Sequence, residues 1–210
     1  MARTPKYDDT DLLDRAVDVV WRRGWSSTSI RDLEQALDVK APSIYRRFGS
    51  RGGVGVAVIE HYVDRVVRRR VDKYLSGEGD PVANITVFFE RSVQQPDTSE
   101  ALRGCLLTTT SADDLDDAMR DAVLIGVAVI ETSLRREVER AAASGRLRPG
   151  VDIDAATATL SVAMQGFMSL ARAGMPSEEL HRRAHAVVSS VIDTGADRPT
   201  THSTRTEEGS

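Results

Sequence analysis

The chain reads as an all-α protein of about nine helices: a three-helix N-terminal head built around a helix-turn-helix, and a larger C-terminal helical body. Three observations predict this. Apolar residues recur at three- and four-residue spacing almost throughout, and no run alternates as a half-buried strand would. Two short helical segments, 29–37 and 42–48, are separated by only a few residues, the spacing of a helix-turn-helix. Charge is also unevenly divided. Residues 1–75 carry 15 Lys and Arg against 11 Asp and Glu, whereas residues 76–210 carry 13 against 21. A basic head on an acidic body points to an anionic partner at one end only.

The first helix runs from about Thr10 to Arg23, with Leu13, Ala16, Val17 and Val20 on one face and Gly24 as its stop. The second starts near Thr28 or Ser29, where Ser29-x-x-Asp32 fits a capping box. Pro42 suits the first position of the third helix, which ends at Phe48 before Gly49. A long fourth helix is expected from Ser50 to about Leu75, burying Val63, Val66, Val67, Val71 and Tyr74. Asp80-Pro81 opens the fifth, which holds Ile85, Phe88 and Phe89; residues 96–103 form a loop. The sixth is short, from Cys105 to about Ala112. The cluster Asp113, Asp114, Asp116 and Asp117 marks a turn and the start of the seventh, which runs to about Ala143. The eighth begins at Asp152 or Asp154 and reaches Arg172; the ninth starts at Pro176 with Glu178 and Glu179 in its first turn. The expected organisation is a head at 1–52, a body at 53–194 and a disordered tail at 195–210, where apolar residues almost vanish.

Composition narrows the function. An apolar content of 40% supports a real core, and the single Cys excludes an intramolecular disulfide. The longest apolar stretch, Ala122 to Ile130, is far short of the roughly 20 residues of a membrane span. The opening MARTPKYDDT does not read as a signal peptide, so a cytoplasmic protein is expected.

From Val39 to Ile59 there is no Asp or Glu, which leaves Lys40, Arg46, Arg47 and Arg51 locally unopposed, as a phosphate backbone selects. In a recognition helix, Lys40, Ala41, Pro42 and Ser43 would stand at the end that faces base edges. Arg46 can fork onto guanine O6 and N7. Tyr45, Arg47, Thr28 and Ser29 suit phosphate contacts, with Ile44 and Phe48 in the core. The bland alternative is a pair of basic helices decorating a surface.

Gly24-Trp25, Ile30-Arg31-Asp32-Leu33, VKAPSIYRRF and Gly49-Ser50 together resemble the tetracycline-repressor (TetR) family of bacterial regulators, tightly over residues 8–75. GCLLTTT at 104–110, the long apolar helix after it and Gly145-Arg146-Leu147 are more weakly similar to the family's ligand-binding half. The resemblance implies a homodimer through the last two helices, residues 152–194, with Val188 and Val191 in the seam. It implies a near-palindromic duplex as partner, and Tyr45 and Arg47 on the DNA backbone. The family often has His at the Arg47 position. The chain also departs from the family in the run Arg51-Gly52-Gly53-Val54-Gly55, which reads either as close packing or as a soft joint between head and body.

By the same resemblance Tyr62, Phe88, Phe89, Cys105, Thr109, Met164 and Phe167 face inward, either as ordinary core or as an apolar small-molecule pocket. Cys105, after Arg103-Gly104, is either a small buried apolar residue or a thiol activated at a helix start. No cofactor is expected, and no metal: His181 and His185 lack the HExxH pattern. No phosphate loop or nucleophile elbow is present. The reading is a homodimeric repressor released from a palindromic operator by a small apolar ligand. The alternatives are a DNA-binding regulator without an effector and, in a different class, a helical enzyme.

Overall fold

The computed structural model describes residues 9–94 and 104–194. The loop expected at 96–103, the cation Arg103 and the tail at 195–210 lie outside them.

Helices α1 (Asp9–Arg23), α2 (Ile30–Leu37) and α3 (Ala41–Phe48) build the head. Leu12, Ala16 and Val20 of α1 meet Trp25, Leu33, Leu37 and Ile44 in its core. Helices this short depend on their ends. Ser29 Oγ accepts the Asp32 N–H, and Asp32 accepts the Ser29 N–H at 2.8 Å, a complete capping box. At the other end Asp38 adopts φ 52°, the left-handed conformation that lets the chain leave α2. Glu34 then accepts the Ala41 N–H at 2.7 Å, fixing α3 relative to α2. The third helix therefore starts at Ala41, one residue earlier than its proline suggests.

The expected long fourth helix is one unbroken run in three pieces: α4 (Arg51–Tyr62), a π-helical stretch (Val63–Arg68) and α5 (Arg69–Tyr74). In a 3.6-residue helix each four-residue step overshoots a turn by about 40°. The wider π turn offsets that drift, so Tyr62, Val66 and Arg70 share one face.

The body comprises α6 (Pro81–Val93), α7 (Leu106–Thr110), α8 (Asp117–Ala143), α9 (Ile153–Arg172) and α10 (Ser177–Val191). Asp80, Asp116 and Asp152 cap α6, α8 and α9 by accepting the N–H of Val82, Met119 and Ala155. Helix α8 lies along α4 and α9, and α10 packs on α9 and α6. The buried Glu137 carboxylate accepts the Gly77 N–H at 2.7 Å and pairs with Arg140 at 2.6 Å, pinning the loop after α5 onto α8. Leu147 and Ile192 form an isolated bridge, and no longer strand occurs among the described residues. One expectation is corrected here. Val188 and Val191 are 1% and 6% exposed in the single protomer, so they belong to its own core and cannot serve a subunit seam.

Head and body meet at the start of α4. A Cβ on Gly52 would lie 2.0 Å from Asp116 Oδ2, one on Gly53 1.9 Å from the Phe48 carbonyl, and one on Gly55 2.5 Å from Met119 Sδ. These glycines are points of close approach, the packing reading of the two. Asp113 accepts the Trp25 N–H at 2.9 Å, and Arg172 of α9 donates to the Trp21 carbonyl at 3.0 Å.

Candidate nucleic-acid interface and ligand cavity

The exposed side of α3 carries Tyr45, Arg46 and Arg47, with Lys40 and Pro42 exposed at its N-terminal end and Ala41 and Ser43 half-buried beside them. Lys40 and Arg46 have no ion-pair partner among the described residues. Arg47 pairs with Asp9 at the start of α1, so a phosphate would have to displace that carboxylate. Phe48 is half-buried and packs against the core, while Ile44 is fully within it.

Three residues expected at DNA do other things. Thr28 is completely buried and its hydroxyl donates to the Gly24 carbonyl at 2.7 Å, so it offers nothing to a duplex. Arg51 turns inward: Nη2 donates to the carbonyls of Trp25 and Thr28 at 2.9 and 3.0 Å, and the guanidinium stacks 4.3 Å from the Trp25 ring centroid. It braces the α1–α2 turn against α4. Ser29 is exposed, but its hydroxyl is held by Asp32. The Ser29 side-chain and backbone hydrogen bonds hold the Asp32 carboxyl below its ordinary value, with Arg23 adding to the effect.

A narrow cavity lies between the π stretch and α5 on one side and α6, α8 and α9 on the other. It has about 20 Å³ of free space, room for one water. Of the residues expected in a pocket, Tyr62, Phe88, Cys105 and Met164 line it. Phe89, Thr109 and Phe167 do not. Phe89 and Phe167 pack edge-to-face at 6.1 Å in the core, and the Thr109 hydroxyl is spent on the Cys105 carbonyl at 3.0 Å. Cys105 is buried just before α7 and accepts a weak 3.6 Å bond from the Tyr62 hydroxyl. Burial, and then the neighbouring thiol, push the Tyr62 phenol well above its ordinary range, so it stays a donor.

Val66, Val67, Arg70, Val71, Ser92, Ile130, Gln165 and Met168 also line the cavity. Apolar spacing had marked several as core. Arg70, Ser92 and Gln165 had no signal in sequence, because they come from three different helices. The cavity reaches the head directly: the Tyr62 ring meets Trp21 of α1 edge-on, centroids 5.0 Å apart.

His181 and His185 both face α6, where Nε2 of each lies 3.0 Å from the Glu90 carbonyl and 2.8 Å from its carboxylate respectively. No cluster that could hold a metal occurs among the described residues, and no described helix is long and apolar enough to cross a membrane.

Comparison with known families matches residues 12–58 to the bacterial regulatory proteins of the tetR family and residues 81–187 to the tetracyclin repressor-like C-terminal domain. The chain is 28% identical over 181 residues to the HTH-type transcriptional repressor ComR of Escherichia coli, covering 84% of this chain and 85% of that one. It is 27% identical over 175 residues to the transcriptional regulator AcuR of Cereibacter sphaeroides, covering 81% and 78%. A cysteine mutant of the TetR-family regulator CifR, solved with 26-bp double-strand operator DNA, superposes with a TM-score of 0.79 at 25% identity, over 90% of this chain and 99% of that one.

Proposed function

Since the chain belongs to the TetR family of bacterial regulatory proteins, we propose that it is a homodimeric transcriptional repressor, released from a near-palindromic operator when a small molecule enters the cavity beside Tyr62. The family is one of regulators rather than enzymes, and the protein would work in the cytoplasm. The observation that carries the reading is the exposed basic face of α3, free of acids from Val39 to Ile59. Lys40, Ala41, Pro42, Ser43 and Arg46 would address base edges, with Tyr45 and Arg47 on phosphates.

Dimerisation would use residues 152–194. Support comes from α9, where Val162 is 73% exposed in line with exposed Ala155, Ala158 and Gly166. That small-sided face allows a second helix to approach closely. Tyr62, Phe88, Cys105 and Met164 would contact the effector, with Cys105 as a lining residue rather than the trigger. The Tyr62–Trp21 contact would carry the cavity's change of shape to the head.

The test is footprinting on the DNA upstream of the protein's own gene, followed by titration with small metabolites. Two protected half-sites with centres about 34–36 Å apart, or a multiple of that, are expected. Absence of any protected duplex would sink the reading, and protection that no compound relieves would leave a regulator without an effector.

A further inference from the structure

Among the described residues, the cavity holds one charge that nothing balances. Its lining includes Arg70 and no Asp or Glu. Arg70 is half-buried and has no ion-pair partner among the described residues, whereas its exposed neighbour Arg68 pairs with Asp64 at 2.9 Å. A guanidinium withdrawn from water without a counter-charge is costly, and a bound carboxylate would meet it in the bidentate geometry that suits it.

Among the described residues, the other polar lining groups have at most a weak acceptor. Ser92 Oγ is buried with no hydrogen-bond partner. Gln165 uses its oxygen to accept the Thr108 hydroxyl at 2.5 Å, which leaves its amide NH2 as the free end. The Tyr62 hydroxyl has only the cysteine sulfur to donate to. The remaining wall is aliphatic or aromatic: Val66, Val67, Val71, Phe88, Ile130 and the two methionines Met164 and Met168. The free space suits a single water, so an occupant must be small and must push something aside. Methionine, with its flexible unbranched side chain, is the residue best able to give way.

Building on the ligand-released reading above, we propose that the effector is a small monocarboxylate with a short apolar tail, its carboxylate held by Arg70 with Ser92 and Gln165 as further donors. The tail would lie against Phe88 and Ile130 and displace Met164 and Met168. Because the π turn sets Arg70 and Tyr62 on one face, an anion drawing on Arg70 acts on the same stretch of helix that carries Tyr62 to Trp21 of the head.

The experiment uses the full-length protein on a labelled operator. Propionate, butyrate and hexanoate are titrated against their primary amides, with operator release followed by anisotropy and binding by thermal shift. Wild type is compared with Arg70→Gln, Ser92→Ala and, as an exposed control, Arg69→Gln. At least one carboxylate is expected to raise Tm and release DNA at concentrations about tenfold or more below its amide. Arg70→Gln should weaken that response by a similar factor while keeping operator affinity, Ser92→Ala should weaken it several-fold, and Arg69→Gln should leave it intact. Should Arg70→Gln fold poorly, the carboxylate-to-amide ratio on wild type and the Ser92→Ala shift still decide. Amides that match their acids, or an Arg70→Gln protein that responds as wild type, overturn the anion assignment and leave ligand release standing. Failure of both series to release DNA from wild type overturns the monocarboxylate assignment, and ligand release itself then falls only if the wider metabolite titration also fails.

Discussion

Arg51 offers the cleanest separation of a structural cation from a DNA-binding one. Replacing it with Met keeps the aliphatic stem and removes the guanidinium. Two hydrogen bonds to the Trp25 and Thr28 carbonyls disappear, as does the stacking on Trp25. A hydrogen bond from a charged donor contributes about 1.5–3 kcal/mol, and an exposed cation–π contact about 0.5–1 kcal/mol. The side chain is half-buried, so the lower ends apply and the expected loss is about 3.5 kcal/mol, a large share of the stability of any domain. Urea unfolding followed by circular dichroism at fixed protein concentration should show a clearly lower midpoint. In the folded range, the slope of log K against log salt for operator binding should match wild type, because no phosphate contact has been lost. The reasoning fails if Arg51→Met unfolds at the wild-type midpoint while its salt slope falls by about 0.9 per chain, the signature of a lost phosphate contact.

Arg46→Ala should behave in the opposite way: unchanged unfolding, a loss of about 1–3 kcal/mol in operator binding and relaxed preference at one base pair, read by competition with single-base operator variants. Gly53→Ala puts a methyl 1.9 Å from the Phe48 carbonyl and should lower Tm far more than Gly55→Ala, where the flexible Met119 side chain can yield; equal melting of the two would contradict the packing described. Val188→Glu buries a charge in the protomer core and should melt the fold, whereas Val162→Glu should stay helical yet scatter light as a monomer. Ser29→Ala should cost about 0.5–2 kcal/mol near neutral pH. Because the fold depresses the Asp32 pKa, the part of that difference carried by the Ser29 hydroxyl on the Asp32 carboxylate is full above the ordinary Asp range and should be lost as acid protonates the folded carboxyl, leaving the Asp32 N–H cap, which a pH series of unfolding curves would trace.

Much of the scaffold was legible because its chemistry is local. Ser29-x-x-Asp32, Asp80-Pro81, Asp116 and Asp152 each satisfy amides two or three residues on, so they announce helix starts in the sequence itself. The acid-free run around α3 is likewise contiguous. What could not be read depends on distant partners. Thr28 and Arg51 look like surface phosphate ligands until the carbonyls of Gly24 and Trp25 are placed beside them. Asp9 reaches Arg47 across the head. Arg70 is one of three successive arginines, and only the π stretch, which has no residue signature of its own, decides which of them turns inward. Val188 has the periodicity of a buried face, and periodicity does not say whether the burying partner is the same chain or another.

The glycine contacts at the start of α4 also bear on modularity. A boundary drawn at residue 52 suggests a cassette that can be cut out and fused to a different sensor. Yet Gly52, Gly55 and Trp25 are fitted to Asp116, Met119 and Asp113, some sixty or more residues further along. The inheritable unit is therefore discontinuous: residues 9–62 together with the turn and first residues of α8, 113–119. A chimera that transplants the N-terminal segment alone would set foreign side chains against two tightly approached glycines, Gly52 and Gly55, and would leave the Trp25 N–H without its Asp113 acceptor. One that carries 113–119 with it should retain the head's native melting behaviour on a borrowed body.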